Sequence, residues 1–141
     1  MKEKLLRIFI VPAIILGIGS CSDKGGGGGG GGTSEANLVV TLNPPAGSVQ
    51  PAAPQIDFPL TVTITSAMPA QGVTIDVSAK KDDGSGAAPF YTESKTTTGA
   101  TTPFTITGTP AGVVCLATVT VTSKTKATNT WTGSYRYTRK P

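Results

Sequence analysis

Beyond residue 37, apolar and polar positions alternate along most of the chain, the repeat expected of strands with one face buried. Leu38, Val40 and Leu42 open the pattern, which stops where Pro44-Pro45 removes ladder donors. Residues 44–59, with Pro51, Pro54 and Pro59, read as an extended approach to the next strand. There Leu60, Val62 and Ile64 alternate with Thr61, Thr63 and Thr65, and the run ends near Pro69. Val73, Ile75, Val77 and Ala79 repeat it and lead into a turn rich in charge and glycine from Lys80 to Gly86. Phe90 to Thr96 is a weaker strand, and Phe104 with Ile106 a short one closed by Gly108 and Pro110. The longest runs from Val113 to about Thr122, with Val113, Cys115, Ala117, Val119 and Val121 on one face. The last runs from about Thr130 to Thr138, with Trp131, Tyr135 and Tyr137 on one face and the polar Ser123 to Asn129 as the hairpin loop before it. Strict alternation would put Val114 and Leu116 in water, which predicts a bulge or a covering loop near the start of that strand.

Seven strands without an amphipathic helix predict an all-β domain over residues 38–141, a single antiparallel sandwich of two sheets. Composition agrees. The chain holds 23 threonines, stiff at a branched β-carbon and suited to the pleat. The final hairpin, Val113 to Arg139, resembles that of immunoglobulin and fibronectin type III modules. The resemblance covers about a quarter of the domain and implies the strand order of such sandwiches.

The first 20 residues follow a different pattern. Lys2, Lys4 and Arg7 precede eleven residues, Ile8 to Ile18, that are apolar except for Pro12 and Gly17. A membrane span needs about 20 apolar residues, so this run fits a cleaved secretory signal peptide over residues 1–20. The alternative, a buried helix, is opposed by Pro12 and by the glycines that follow. Ile18-Gly19-Ser20-Cys21 resembles the lipobox of bacterial lipoproteins. That resemblance implies a diacylglyceryl group on the Cys21 sulfur and a further acyl chain on its amine, and two or more chains anchor a protein stably. Ser22 in place of an aspartate resembles lipoproteins forwarded to the outer membrane. The implied location is the cell envelope, lipid-anchored, with surface exposure as an extension of the same reading. Residues 21–37 then form a tether built on eight glycines, Gly25 to Gly32, which bury nothing and lose the most entropy on ordering. A phosphate-cradling loop would need a flanking strand and helix and a nearby Lys-Ser or Lys-Thr, all missing here.

Charge and chemistry narrow the functions. Cleavage would remove three of the 12 basic and one of the 8 acidic residues, lowering the net charge from +4 to +2. An ordinary balance of this kind gives no ground for a nucleic-acid partner. The basic and aromatic tail from Tyr135 to Lys140 could meet polyanions, but period two puts its tyrosines in the core. Histidine is absent, which removes the commonest general base and most zinc sites, and no cofactor or metal is expected. Cys115, alone once Cys21 is lipidated, reads as core filling. Asp82-Asp83-Gly84-Ser85-Gly86 falls short of a calcium loop and reads as a solvated turn. Asp57, Asp76 and Glu93 could be assembled as catalytic carboxylates on paper, yet all three read as outward-facing. The chain is therefore expected not to be an enzyme. The expectation is a membrane-anchored module that binds an extracellular protein or glycan, with Phe90 and Tyr91 as candidate ligand contacts or, equally, a core edge. A structural subunit, pilus-like or an accessory of an envelope complex, assembled by strand addition is the alternative.

Overall fold

The computed structural model describes residues 34–141. The expected signal peptide, Cys21 and the tether up to residue 33 lie outside the described residues. Among the described residues, seven strands make two antiparallel sheets. The first sheet joins β1 (Val40–Asn43), β2 (Phe58–Ile64) and β5 (Thr101–Ile106) in the order β1-β2-β5. The second joins β4 (Tyr91–Thr97), β3 (Val73–Lys81), β6 (Val114–Ser123) and β7 (Thr130–Thr138) in the order β4-β3-β6-β7. The architecture is a two-sheet antiparallel β-sandwich, with β4 on the sheet of the final hairpin rather than on that of β2.

Alternation explains the core. Leu38, Val40 and Leu42, then Leu60, Val62 and Ile64, then Phe104 and Ile106 face inward from one sheet. Val73, Ile75, Val77 and Ala79, with Cys115, Ala117, Val119 and Val121, meet them from the other. Tyr135 and Tyr137 complete the buried layer, and burying each Val, Leu or Ile side chain contributes about 1.5 to 3 kcal/mol.

The strand directions divide the loops between two ends. At the near end, where the chain joins the sandwich, lie residues 34–39, 65–72, 98–100 and 124–129. At the far end lie residues 44–57, 82–90 and 107–113 and the C-terminus. The near end is fastened by Asn129, 8% exposed, whose Oδ1 accepts from the Leu38 amide at 3.0 Å. Its Nδ2 donates to Glu35 Oε1 at 2.5 Å and to the Ala36 carbonyl at 2.9 Å.

Three expectations are corrected. Residues 44–59 are more than an approach: the chain leaves β1 at the cis Asn43–Pro44 bond and crosses to the other sheet. There it runs parallel to β7, with Gly47 N donating to Ser134 O at 2.7 Å, Gln50 N to Arg136 O at 2.8 Å and Ala53 N to Thr138 O at 3.0 Å. β2 then starts at Phe58 and contains Pro59, tolerated because β1 pairs only as far as Thr61. The expected bulge is missing: β6 keeps an unbroken register from Val114 to Thr122 with β7. Val114 stays exposed, and Leu116 is half-buried between Lys80 and Arg136, its cross-strand neighbours, whose long stems can cover apolar surface. Glu93 is inward, not outward: it sits opposite Val77 on the core-side parity of β4.

Candidate functional site

The far end gathers most of the side chains that chemistry could use. The crossing segment stands over the place where β1 stops short of β2, and a hollow of about 280 Å³ lies beneath it. Asn43, Gln50 and Gln55 supply amides to its lining, and Phe58, Tyr135 and Tyr137 supply aromatic rings. The Phe58 and Tyr137 rings are tilted with centroids 4.6 Å apart, and Tyr137 lies 5.8 Å from Tyr135. The Tyr137 hydroxyl is 3.3 Å from Thr109 Oγ1, and burial pushes its pKa up to about 12. The hydroxyl of Tyr135 is different. It is buried and meets no hydrogen-bond partner, an arrangement that costs about 1 to 3 kcal/mol and is uncommon in folded proteins. Burial raises its pKa above the ordinary tyrosine range, so the group is a neutral phenol.

Phe90 and Tyr91 lie at the same end, where β4 begins. Both are half-buried and pack against the core, so they border the core and solvent together. The Tyr91 hydroxyl donates to Glu93, whose other oxygen lies 3.2 Å from Lys95 Nζ. Lys95 also donates to the Pro103 carbonyl at 2.8 Å and stands 4.4 Å over the Phe104 ring. This chain of contacts closes the side of the sandwich between β4 and β5. Two of its members, Glu93 and Tyr91, shift each other: the tyrosine hydroxyl holds the carboxyl below its usual range, while burial and Glu93 push Tyr91 up.

The acids do not converge. Asp76 faces outward from β3, Glu93 faces inward from the neighbouring β4, and Asp57 precedes β2 in the other sheet. In the turn, Asp83 Oδ1 accepts from the Ser85 amide at 3.0 Å and its hydroxyl at 2.5 Å, bonds that lower the Asp83 pKa. Asp82 pairs with Arg136 Nε at 2.5 Å. Arg139 Nη1 donates to the Thr109 carbonyl at 3.1 Å, so both arginines of the tail are engaged within the domain. Cys115 is fully buried, with Sγ 3.6 Å from the Val113 carbonyl, and burial pushes its thiol up. A raised, enclosed thiol is a poor nucleophile.

The sequence did not point to the hollow. Its amides come from residues 44–57 and from Asn43, which belong to one wall only because the crossing segment pairs with β7. The one available signal was the proline density of that segment, which marks an extended chain without naming its destination. Comparison with family models, with curated proteins and with solved structures finds no match to this chain.

Proposed function

We propose that this chain is a non-enzymatic lipoprotein of the bacterial cell envelope, anchored through lipid on Cys21, that presents one β-sandwich to a glycan or protein outside the cell. The observation that carries the reading is the polarity of the fold. The chain joins the sandwich at the near end, at Leu38, whereas the hollow, the 82–90 turn and Phe90 lie at the opposite end. A domain held by its near end offers its far end to the medium. The 16 residues from Ser22 to Asn37 would span roughly 20 to 24 Å as a coil, enough to clear headgroups without losing the membrane. The outer membrane is the location proposed, from Ser22.

Strand addition, the alternative, needs an open ladder, and each sheet edge carries a device that blunts it. The far half of β7 is covered by the crossing segment. β1 is four residues long, β5 contains Pro103, and β4 turns Glu93 and Lys95 inward. Display is therefore favoured over polymerisation.

The test is made on the native product. Mass spectrometry should find residues 1–20 removed and Cys21 acylated, and Cys21→Ser should move the protein from the membrane to the soluble fraction. Cells carrying the anchored chain should retain an applied extracellular polysaccharide or protein that cells with Cys21→Ser do not. An intact leader, an unmodified sulfur or a membrane-bound Cys21→Ser protein refutes the anchor.

A further inference from the structure

Resting on the display reading, we infer that the near end is a membrane-docking surface: Lys124 and Lys126, on the tip of the β6–β7 hairpin, meet the anionic headgroup phosphates of the membrane that holds the Cys21 lipid. The 16 residues from Ser22 to Asn37, roughly 20 to 24 Å as a coil, would keep the domain where it meets headgroups repeatedly. What remains is which face it turns to them.

Charge decides. The near-end segments, residues 34–39, 65–72, 98–100 and 124–129, carry three charged side chains, Glu35, Lys124 and Lys126. Both lysines are exposed. Glu35 is turned inward, one carboxylate oxygen accepting from Asn129 and the other buried. The charge this end shows to solvent is therefore of one sign. The far end is mixed, because Asp57 and Asp83 stand exposed there with Lys80, Lys81 and Lys140. An anionic surface favours the near end: each lysine beside it contributes roughly a fivefold preference, and the pair about thirtyfold.

The tip is also held still. Ser123 Oγ accepts from the amides of Thr125 at 3.1 Å and Lys126 at 3.0 Å, and the Asn129 amide donates to the Lys126 carbonyl at 2.9 Å. Lys124 N donates to the Gly72 carbonyl at 3.0 Å, and Thr125 Oγ1 accepts from the Gln71 amide at 3.1 Å, which ties the tip to the loop beside it. Little backbone freedom is left to lose on contact. Asn129 also bonds the Leu38 amide and the Ala36 carbonyl, so the chain enters the sandwich next to the lysines. The neighbouring loops expose Ala67, Ala70, Gly99 and Ala100, which are small and uncharged and do not hold the tip off a flat surface.

The experiment inserts the full acylated chain into lipid nanodiscs of phosphatidylcholine alone, or of equal parts phosphatidylcholine and phosphatidylglycerol, each with a trace of spin-labelled headgroup. In the anionic discs the label should broaden the amide signals of residues 65–72, 98–100 and 124–129 and spare those of 82–90. In neutral discs, or at high salt, the broadening should fade. Lys124→Glu combined with Lys126→Glu should lower the ratio of docked to free domain by at least roughly thirtyfold without changing Tm, whereas Lys80→Glu combined with Lys81→Glu should change it little. Equal broadening in neutral and anionic discs, broadening of 82–90 instead, or undiminished docking by the Lys124→Glu, Lys126→Glu protein overturns the proposal. A chain that inserts through its lipid yet shows no near-end contact strikes this inference and spares the display reading. A chain that fails to insert because Cys21 carries no lipid overturns both.

Discussion

Gly133→Ala should destabilise the domain although it replaces the poorest strand former but proline with a better one. Gly133 lies on the inward face of β7 between Trp131 and Tyr135, and its φ is not in the left-handed region. By backbone entropy alone, alanine should gain about 0.4 to 1 kcal/mol. The indole of Trp131, however, lies over this glycine: an added Cβ would stand 2.8 Å from Cζ2, 3.1 Å from Cζ3 and nearer still to Cη2. Carbon atoms rest at about 3.5 to 4.0 Å, so the ring must swing off the core it packs against. Overpacking of this kind costs about 1 to 3 kcal/mol, which exceeds the entropic gain and leaves a net loss of about 1 to 2 kcal/mol. For a domain of this size that is a fall in Tm of roughly 5 to 15 °C. Trp131 is the sole tryptophan, so a urea titration followed by its fluorescence reads stability and environment together. The midpoint should drop at constant slope, and the native emission should shift to the red as the indole meets water. In a Trp131→Ala background the same glycine substitution should be neutral or stabilising, because nothing remains to collide with. Equal losses in both backgrounds, or an unshifted native emission, would refute the argument.

Three shorter predictions follow from other contacts. Asn129→Ala should cost about 1 to 3 kcal/mol, since it strands the Leu38 amide and the Ala36 carbonyl, and hydrogen exchange should quicken over residues 36–39 more than in β3; uniform exchange would count against a local clamp. Cys115 should resist alkylation in the native fold at neutral pH by at least roughly a hundredfold relative to the urea-unfolded chain, because burial both encloses the thiol and keeps it protonated; comparable rates would place the sulfur in solvent. Glu93 is held below its ordinary 4.5, chiefly by the Tyr91 hydroxyl and further by Lys95, so its contribution is complete above about pH 4.5 and fades as pH falls through the lower folded value. Tyr91→Phe should therefore be less stable than the wild type above about pH 4.5, by a gap that narrows as the pH falls through the folded value, and a gap that stays constant across a Tm-against-pH series would exclude the coupling.

Period two revealed most of the fold. Val73 to Ala79 and Cys115 to Val121 carry uninterrupted inward sets, and a strand buried on one face has no other way to be written. Val114 and Leu116 misled because apolar side chains were assumed to need cover. On the outer face, long neighbours such as Lys80 and Arg136 shelter Leu116, and an exposed valine costs the fold little. Glu93 misled in the opposite sense: a carboxylate at core parity is legible only once β4 is known to lie at an edge, where Lys95 can reach it. The hollow was illegible for a third reason. It depends on residues 44–57 pairing with β7 and the residue after it, some 90 residues later, through two isolated bridges and a few amide bonds that leave no periodic trace.

The outer face of the second sheet bears on where recognition can occur. Register brings Thr96, Thr74, Thr122 and Thr130 into one row, Ser94, Asp76, Thr120 and Thr132 into the next, and Thr92, Ser78, Thr118 and Ser134 into a third. Eleven of the twelve positions are hydroxyls, and several bond across strands, as Thr74 does to Thr96 at 3.4 Å and Thr120 to Thr132 at 3.4 Å. Threonine and serine keep the pleat well filled and hydrated, yet they provide none of the aromatic or arginine anchors that concentrate binding energy. A partner laid on this face would exchange water for hydroxyls at little net gain. The far end differs in kind: there the amides of Asn43, Gln50 and Gln55 line a concave surface beside Phe58, and the crossing segment covers the far half of the β7 edge next to it. Energetics therefore single out the same end of the molecule that the tether would hold outermost.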